Sequence, residues 1–179
     1  MLEPSNNSTL KDWGSVVADS VDRILDQWAT VRPDLDVSAM GVLGRLSRLT
    51  RLLERAQNEV FETHDLQSGE FDILATLLRT DAGSRGLTAG DLSASAMVTS
   101  GAITNRLDRL VAKQLISRDV DPENRRTIRV ALTRRGAEVI EAALADHVEN
   151  EERLLESLTA AERRQLEALL SGLLAAHEN

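Results

Sequence analysis

The chain has 179 residues, of which 42 % are hydrophobic, with a formal net charge of −8; this suits one domain, or one domain with extensions. It has no Cys, and its three His (His64, His147, His177) are far apart, so disulfides, a thiol switch and metal-ligand spacing are excluded and no metal or cofactor is expected. No paired carboxylate, nucleophile–base or phosphate-loop motif argues for an enzyme, and no leader-like or membrane-length apolar run appears, so a soluble cytoplasmic protein is expected.

Val17, Val21, Ile24, Leu25 and Trp28 form one helical stripe. Arg32-Pro33 ends it, because the residue before Pro avoids helical backbone. The next helix, over residues 38–62, places Val42, Leu46, Leu49, Leu53, Ala56 and Val60 alternately four and three residues apart. That spacing is a seam for packing along another helix. The same helix carries the row Arg45, Arg48, Arg51 and Arg55, for which acidic C-terminal helices are the expected partners and an anion site the alternative. A short helix over residues 69–80 follows, with Phe71, Ile73, Leu74, Leu77 and Leu78 apolar.

Charge then changes sign. Residues 85–135 hold 10 of the 21 Lys and Arg but 5 of the 29 Asp and Glu, a local +5 against −13 for the remainder. One basic face on an acidic protein still binds a polyanion, because phosphate contacts depend on the local field. Within this window Leu87-Thr-Ala-Gly-Asp91 opens a short helix, with Thr88 as N-cap and Asp91 in the capping-box position. Residues 94–99 read as a turn, and residues 100–113 as a second helix with Ile103, Leu107, Leu110 and Val111 at helical spacing. This is a helix-turn-helix.

With Ile103, Leu107 and Leu110 inward, Asn105 and Arg109 point outward and suit base edges, while Thr99, Ser100 and Thr104 suit phosphates. The alternative for Asn105 and Arg109 is a solvated helix face. Arg106 lies at the margin of the inward face, so its guanidinium should reach the seam with the scaffold and needs an anion there. Two alternating segments, residues 115–120 and 127–132, follow, joined by Asp121-Pro-Glu-Asn-Arg-Arg126, so Arg125 and Arg126 fall at a hairpin tip and suit the minor groove or the DNA backbone. Thr133 then caps a long helix carrying Ile140, Leu144, Val148 and Leu155. Thr159-Ala-Ala-Glu162 is a capping box that starts a last helix rich in Leu. The expected fold is mainly α with a small β wing. Residues 1–65 would form N-terminal helices for dimerisation and a ligand-site wall, 66–135 a winged helix-turn-helix, and 136–179 C-terminal dimerisation helices.

From about residue 66 to residue 140 the chain resembles the MarR family of bacterial transcription regulators. The resemblance is strongest in Thr-Asn-Arg-Leu-Asp-Arg-Leu, Leu-Ile-Ser-Arg, Asp-Pro-Glu-Asn-Arg-Arg and Leu-Thr-Arg-Arg-Gly, in that order. One departure is Asn124, where the family usually has Asp; Asp121 is the nearer candidate for a wing salt bridge. The resemblance implies a homodimer whose terminal helices interlock. Its two recognition helices would sit roughly 34 to 36 Å apart on palindromic double-stranded DNA.

Within the family the chain looks like the urate-responsive, HucR-type branch. That resemblance implies a ligand set of Trp28, Asp72, Arg106 and Arg118. An indole wall and two planar guanidinium forks suit an anionic purine such as urate. Each residue also has an ordinary structural reading: Trp28 in the core, Asp72 exposed, Arg106 in a structural salt bridge with a core-side Asp or Glu, and Arg118 on a phosphate. The implied function is a repressor released from DNA by a small anion. The alternative is a regulator answering to phenolic or lipophilic compounds in the dimer crevice, and a more distant one is a protein-interaction module that never binds DNA.

Overall fold

Among the described residues, 18–80, 86–95 and 103–178, the computed structural model contains seven helices and a three-stranded antiparallel sheet. The chain divides into two compact units, residues 1–52 and 53–179.

In the first unit, α1 (Ser20–Val31) starts at Asp19. Its carboxylate accepts from the N–H groups of Val21 and Asp22, and the Asp22 carboxylate returns a bond to Asp19 N–H at 2.8 Å. This capping box neutralises donors that a helix start leaves open. On α2 (Ser38–Thr63), Arg45 donates to Asp19 at 2.8 Å and to Asp22 at 2.5 Å. These acids replace the expected C-terminal ones as partners of this arginine. Val21 is buried, whereas Ile24, Val42, Leu43, Leu49 and Leu52 stay exposed.

In the second unit α3 (Ser68–Arg79) is central, with Ile73 and Leu74 fully buried. Against it lie α4 (Ala89–Ser95) through Leu92, α5 (Ile103–Ala112) through Leu107 and Leu110, and α6 (Arg134–Leu154) through Ile140 and Ala143. The apolar positions recur every three or four residues, so each helix contributes one face to this core. Phe61 and Phe71 stack at 4.2 Å beside His147. The last helix, α7 (Ala160–Ala175), has its expected capping box at Thr159 but buries no residue, and Leu169 and Leu174 are exposed.

The sheet order is β1-β3-β2, with β1 at Leu87–Thr88, β2 at Ile116–Asp121 and β3 at Asn124–Leu132. β1 was not expected, because two residues carry no period. Thr88 serves as both strand and cap: it pairs with Arg129, and its hydroxyl accepts from Asp91 N–H at 3.1 Å. The hairpin is also tighter than the sequence suggests. Asp121 pairs with Asn124, leaving Pro122 and Glu123 as the turn, so Arg125 and Arg126 follow Asn124 within β3 instead of occupying a six-residue tip. The cause is local: the Asp121 carboxylate accepts from Glu123 N–H at 2.9 Å, and the Asn124 amide oxygen from Arg126 N–H at 3.1 Å. Asp121 does form the wing salt bridge, with Arg129 at 2.5 Å.

α6 is pinned where α5 hands over to β2. Thr133 N–H donates to Leu115 O at 3.0 Å and its hydroxyl donates to Gln114 O at 2.8 Å, while that hydroxyl accepts from Gly136 N–H at 2.9 Å. A Cβ on Gly136 would overlap the Leu115 carbonyl oxygen and stand 2.8 Å from its carbonyl carbon, so the approach requires Gly.

Candidate functional site

The recognition helix α5 has three faces. Ile103, Leu107 and Leu110 are buried, while Thr104, Asn105 and Asp108 are exposed, as their spacing implies. Between these faces runs a basic stripe of Arg106, Arg109 and Lys113, at spacings of three and four, and this stripe meets the first turn of α3.

Glu70 is the partner there, and it is fully buried. Its Oε1 accepts from Arg109 Nε at 3.1 Å, and its Oε2 from Lys113 Nζ at 3.0 Å and Gln67 N–H at 2.9 Å. A buried carboxylate needs this many donors. Lys113 also donates to the Asp65 carbonyl. Arg109, expected to face outward, is therefore tied on one side, although 47 % of its side chain remains exposed. The sequence did contain a signal for Glu70: an acid three residues after the polar residue that precedes a helix is a cap position. What it does beyond the cap depends on a helix 39 residues away.

Arg106 takes a different seat. Its guanidinium lies on Gly69, where a Cβ would overlap Cζ and Nε and stand 2.8 Å from Nη1. Nη1 is buried and, among the described residues, has no hydrogen-bond acceptor. Nearby, Asp72 is half-buried, and burial pushes its carboxyl above the ordinary aspartate value against the pull of Arg106, Arg79 and His147. Two of the four implied ligand residues, Asp72 and Arg106, thus lie close enough for the guanidinium's charge to act on the carboxyl. His147 sits on the α6 side of the same core, its Nε2 paired with the Glu151 carboxylate at 3.1 Å and its Nδ1 buried and, among the described residues, without a partner.

Arg118, on β2, pairs with Asp108 at 2.7 Å and donates to the Thr104 carbonyl at 3.5 Å. It is not among the charges that act on Asp72. Trp28 lies on α1 in the first unit, 39 % exposed. Arg125 and Arg126 are exposed beside the wing turn. Thr99 and Ser100 lie outside the described residues.

The fold agrees with that of known proteins. Residues 66–128 match the model of the MarR family. The chain is 38 % identical to the transcriptional regulator PecS of Dickeya dadantii over 150 residues, covering 84 % of this chain and 90 % of PecS. It is 32 % identical to the multiple antibiotic resistance protein MarR of Escherichia coli over 135 residues, covering 74 % of this chain and 90 % of that one. The structure of Staphylococcus aureus MepR in complex with DNA superposes with a TM-score of 0.65 at 24 % identity, covering 79 % of this chain and 98 % of MepR.

Proposed function

This chain belongs to the MarR family of DNA-binding transcription regulators, and from that premise we propose that it is a homodimeric repressor of palindromic operators, released from DNA when a small anion of the urate type engages Arg106. The observation that carries this reading is the buried, acceptor-less Nη1 of Arg106 beside a carboxyl whose charge is disfavoured by burial. An unsatisfied buried donor costs about 1 to 3 kcal/mol, which is the size of a coupling that changes affinity about 5- to 150-fold.

A planar, oxo-rich anion supplies the missing acceptors in the geometry a guanidinium prefers. Its charge repels Asp72 and draws Arg118 from Asp108. Because Arg106 is part of α5, a change of partner moves the helix that carries Asn105. DNA is held by Thr99, Ser100, Thr104, Asn105 and Arg109 on the recognition helix and its approach, and by Arg125 and Arg126 on the wing. Dimerisation accounts for the leucines exposed on α2 and α7, whose burial is favourable only against a further surface.

The test is fluorescence anisotropy of a labelled duplex from the region upstream of this protein's own gene, titrated at fixed salt with and without urate. Wild type should bind steeply and release on urate, and Arg106→Ala should lose the release. Release by neutral phenols but not by urate would replace this reading with the phenolic one. A variant lacking Arg106 that still releases normally on urate would refute the mechanism.

A further inference from the structure

Helix α3 opens Ser68-Gly69-Glu70, and nothing in the helix itself calls for Gly. The Gly69 backbone is not left-handed, and Ala is favoured over Gly inside helices by up to about 1 kcal/mol. What Gly69 provides is room, and the guanidinium of Arg106 occupies it. The atoms a Cβ would overlap belong to the far end of a long, flexible side chain. Adding that Cβ therefore displaces the guanidinium while leaving the backbone in place.

We propose that Gly69 is a positioning residue for Arg106: by omitting a Cβ it lets the guanidinium lie on the first turn of α3 beside Asp72, with Nη1 sealed from water and lacking an acceptor. The effector consequence rests on the reading of Arg106 given above. The seat itself does not. Gly69→Ala should fold, since it improves helix propensity, yet it should move the one group on which anion sensing depends.

The experiment is a carbon-13 carboxyl NMR titration of Asp72 in the full chain, as wild type, Gly69→Ala, Arg106→Gln and the double variant. Arg106 lowers the Asp72 pKa, so removing or displacing the guanidinium should shift the midpoint upward in both single variants. If Gly69 acts only through Arg106, the double variant should go no higher than Arg106→Gln alone. An Asp72 midpoint in Gly69→Ala that matches wild type overturns the proposal, as does an additive double variant.

Urate release of the labelled duplex separates the two layers. Gly69→Ala should raise the urate concentration for half-release about tenfold or more, a coupling loss of ordinary allosteric size. Normal release in Gly69→Ala alongside lost release in Arg106→Gln overturns the inference while the urate reading survives. If urate releases wild type and Arg106→Gln alike, or releases neither, the urate reading falls, and the NMR pattern alone decides for or against the seat.

Discussion

Replacing Glu70 with Gln removes the charge that ties two turns of α5 to α3 and leaves side-chain volume almost unchanged. Glu70 is fully buried and accepts three hydrogen bonds, two of them from cations. Charge-assisted bonds contribute about 1.5 to 3 kcal/mol each, and stripping one partner from a buried pair costs about 3 to 5 kcal/mol. Both figures overstate this case, because 47 % of the Arg109 side chain and 25 % of the Lys113 side chain are exposed and can turn to water. The amide also keeps one acceptor for Gln67 N–H. The expected loss is therefore about 1 to 3 kcal/mol, and at about 2 to 4 °C per kcal/mol for a chain of this size the Tm should fall by about 2 to 12 °C.

Thermal unfolding followed by circular dichroism, at matched protomer concentration, reads that change. A second readout comes from DNA. Cations released from Glu70 become available to phosphates, each adding about 0.9 to the slope of log affinity against log salt. An unchanged Tm together with an unchanged salt slope would refute the idea that Glu70 anchors the recognition helix.

Gly136→Ala should cost about 1 to 3 kcal/mol or more, since the clash is with the Leu115 backbone and cannot be relieved by rotating a side chain; a urea midpoint equal to wild type would contradict it. Burial raises the Asp72 pKa, so protonated Asp72 favours the folded state. That contribution is complete below the unfolded value of about 3.9 and is lost as pH rises through the raised folded value. Asp72→Asn should accordingly be more stable than wild type at neutral pH, with the gap closing as pH falls toward about 4; a less stable variant at neutral pH would reverse the sign. Asp121→Asn weakens the charge behind the Arg129 bond at 2.5 Å, so amide exchange across β2 and β3 should quicken while α3 and α6 are unaffected; uniform exchange would show that the wing does not depend on this pair.

What could be read in advance was whatever depends on period. Ile103, Leu107 and Leu110 declare the inward face of α5, and Thr133 and Thr159 mark helix starts that the hydrogen bonds reproduce. What could not be read depends on where a long side chain reaches. Arg109 leaves the helix on its outward side by the wheel, yet its flexible stem returns to Glu70. Arg118 and Asp108 are ten residues apart in different elements, and no pattern joins them. The wing turn is shorter than its sequence suggests, because Pro and Asn mark a turn without fixing its length, which the Asp121 and Asn124 side chains set. Gly69 reads as an ordinary residue of a helix start; only the guanidinium lying on it gives it meaning.

The first turn of α3 holds the recognition helix in two chemically different ways, and that difference is what makes a small anion effective in the proposed mechanism. Arg109 and Lys113 are fixed by a buried carboxylate that accepts three hydrogen bonds. Arg106, one turn earlier, rests on a glycine with a nitrogen that has no acceptor. α5 is 10 residues long, which at about 1.5 Å per residue makes a rod of about 15 Å. A ligand that pulls the Arg106 end while Glu70 keeps the other end in place tilts the rod about its C-terminal turns. The displacement is then largest toward its N-terminal half, where Thr104 and Asn105 stand exposed. Base-edge hydrogen bonds weaken steeply outside a narrow range of distance and angle, so a small tilt suffices to lose them. On this argument the Glu70 anchor is as necessary to release as the Arg106 sensor: a helix free at both ends would follow the ligand and still fit the groove.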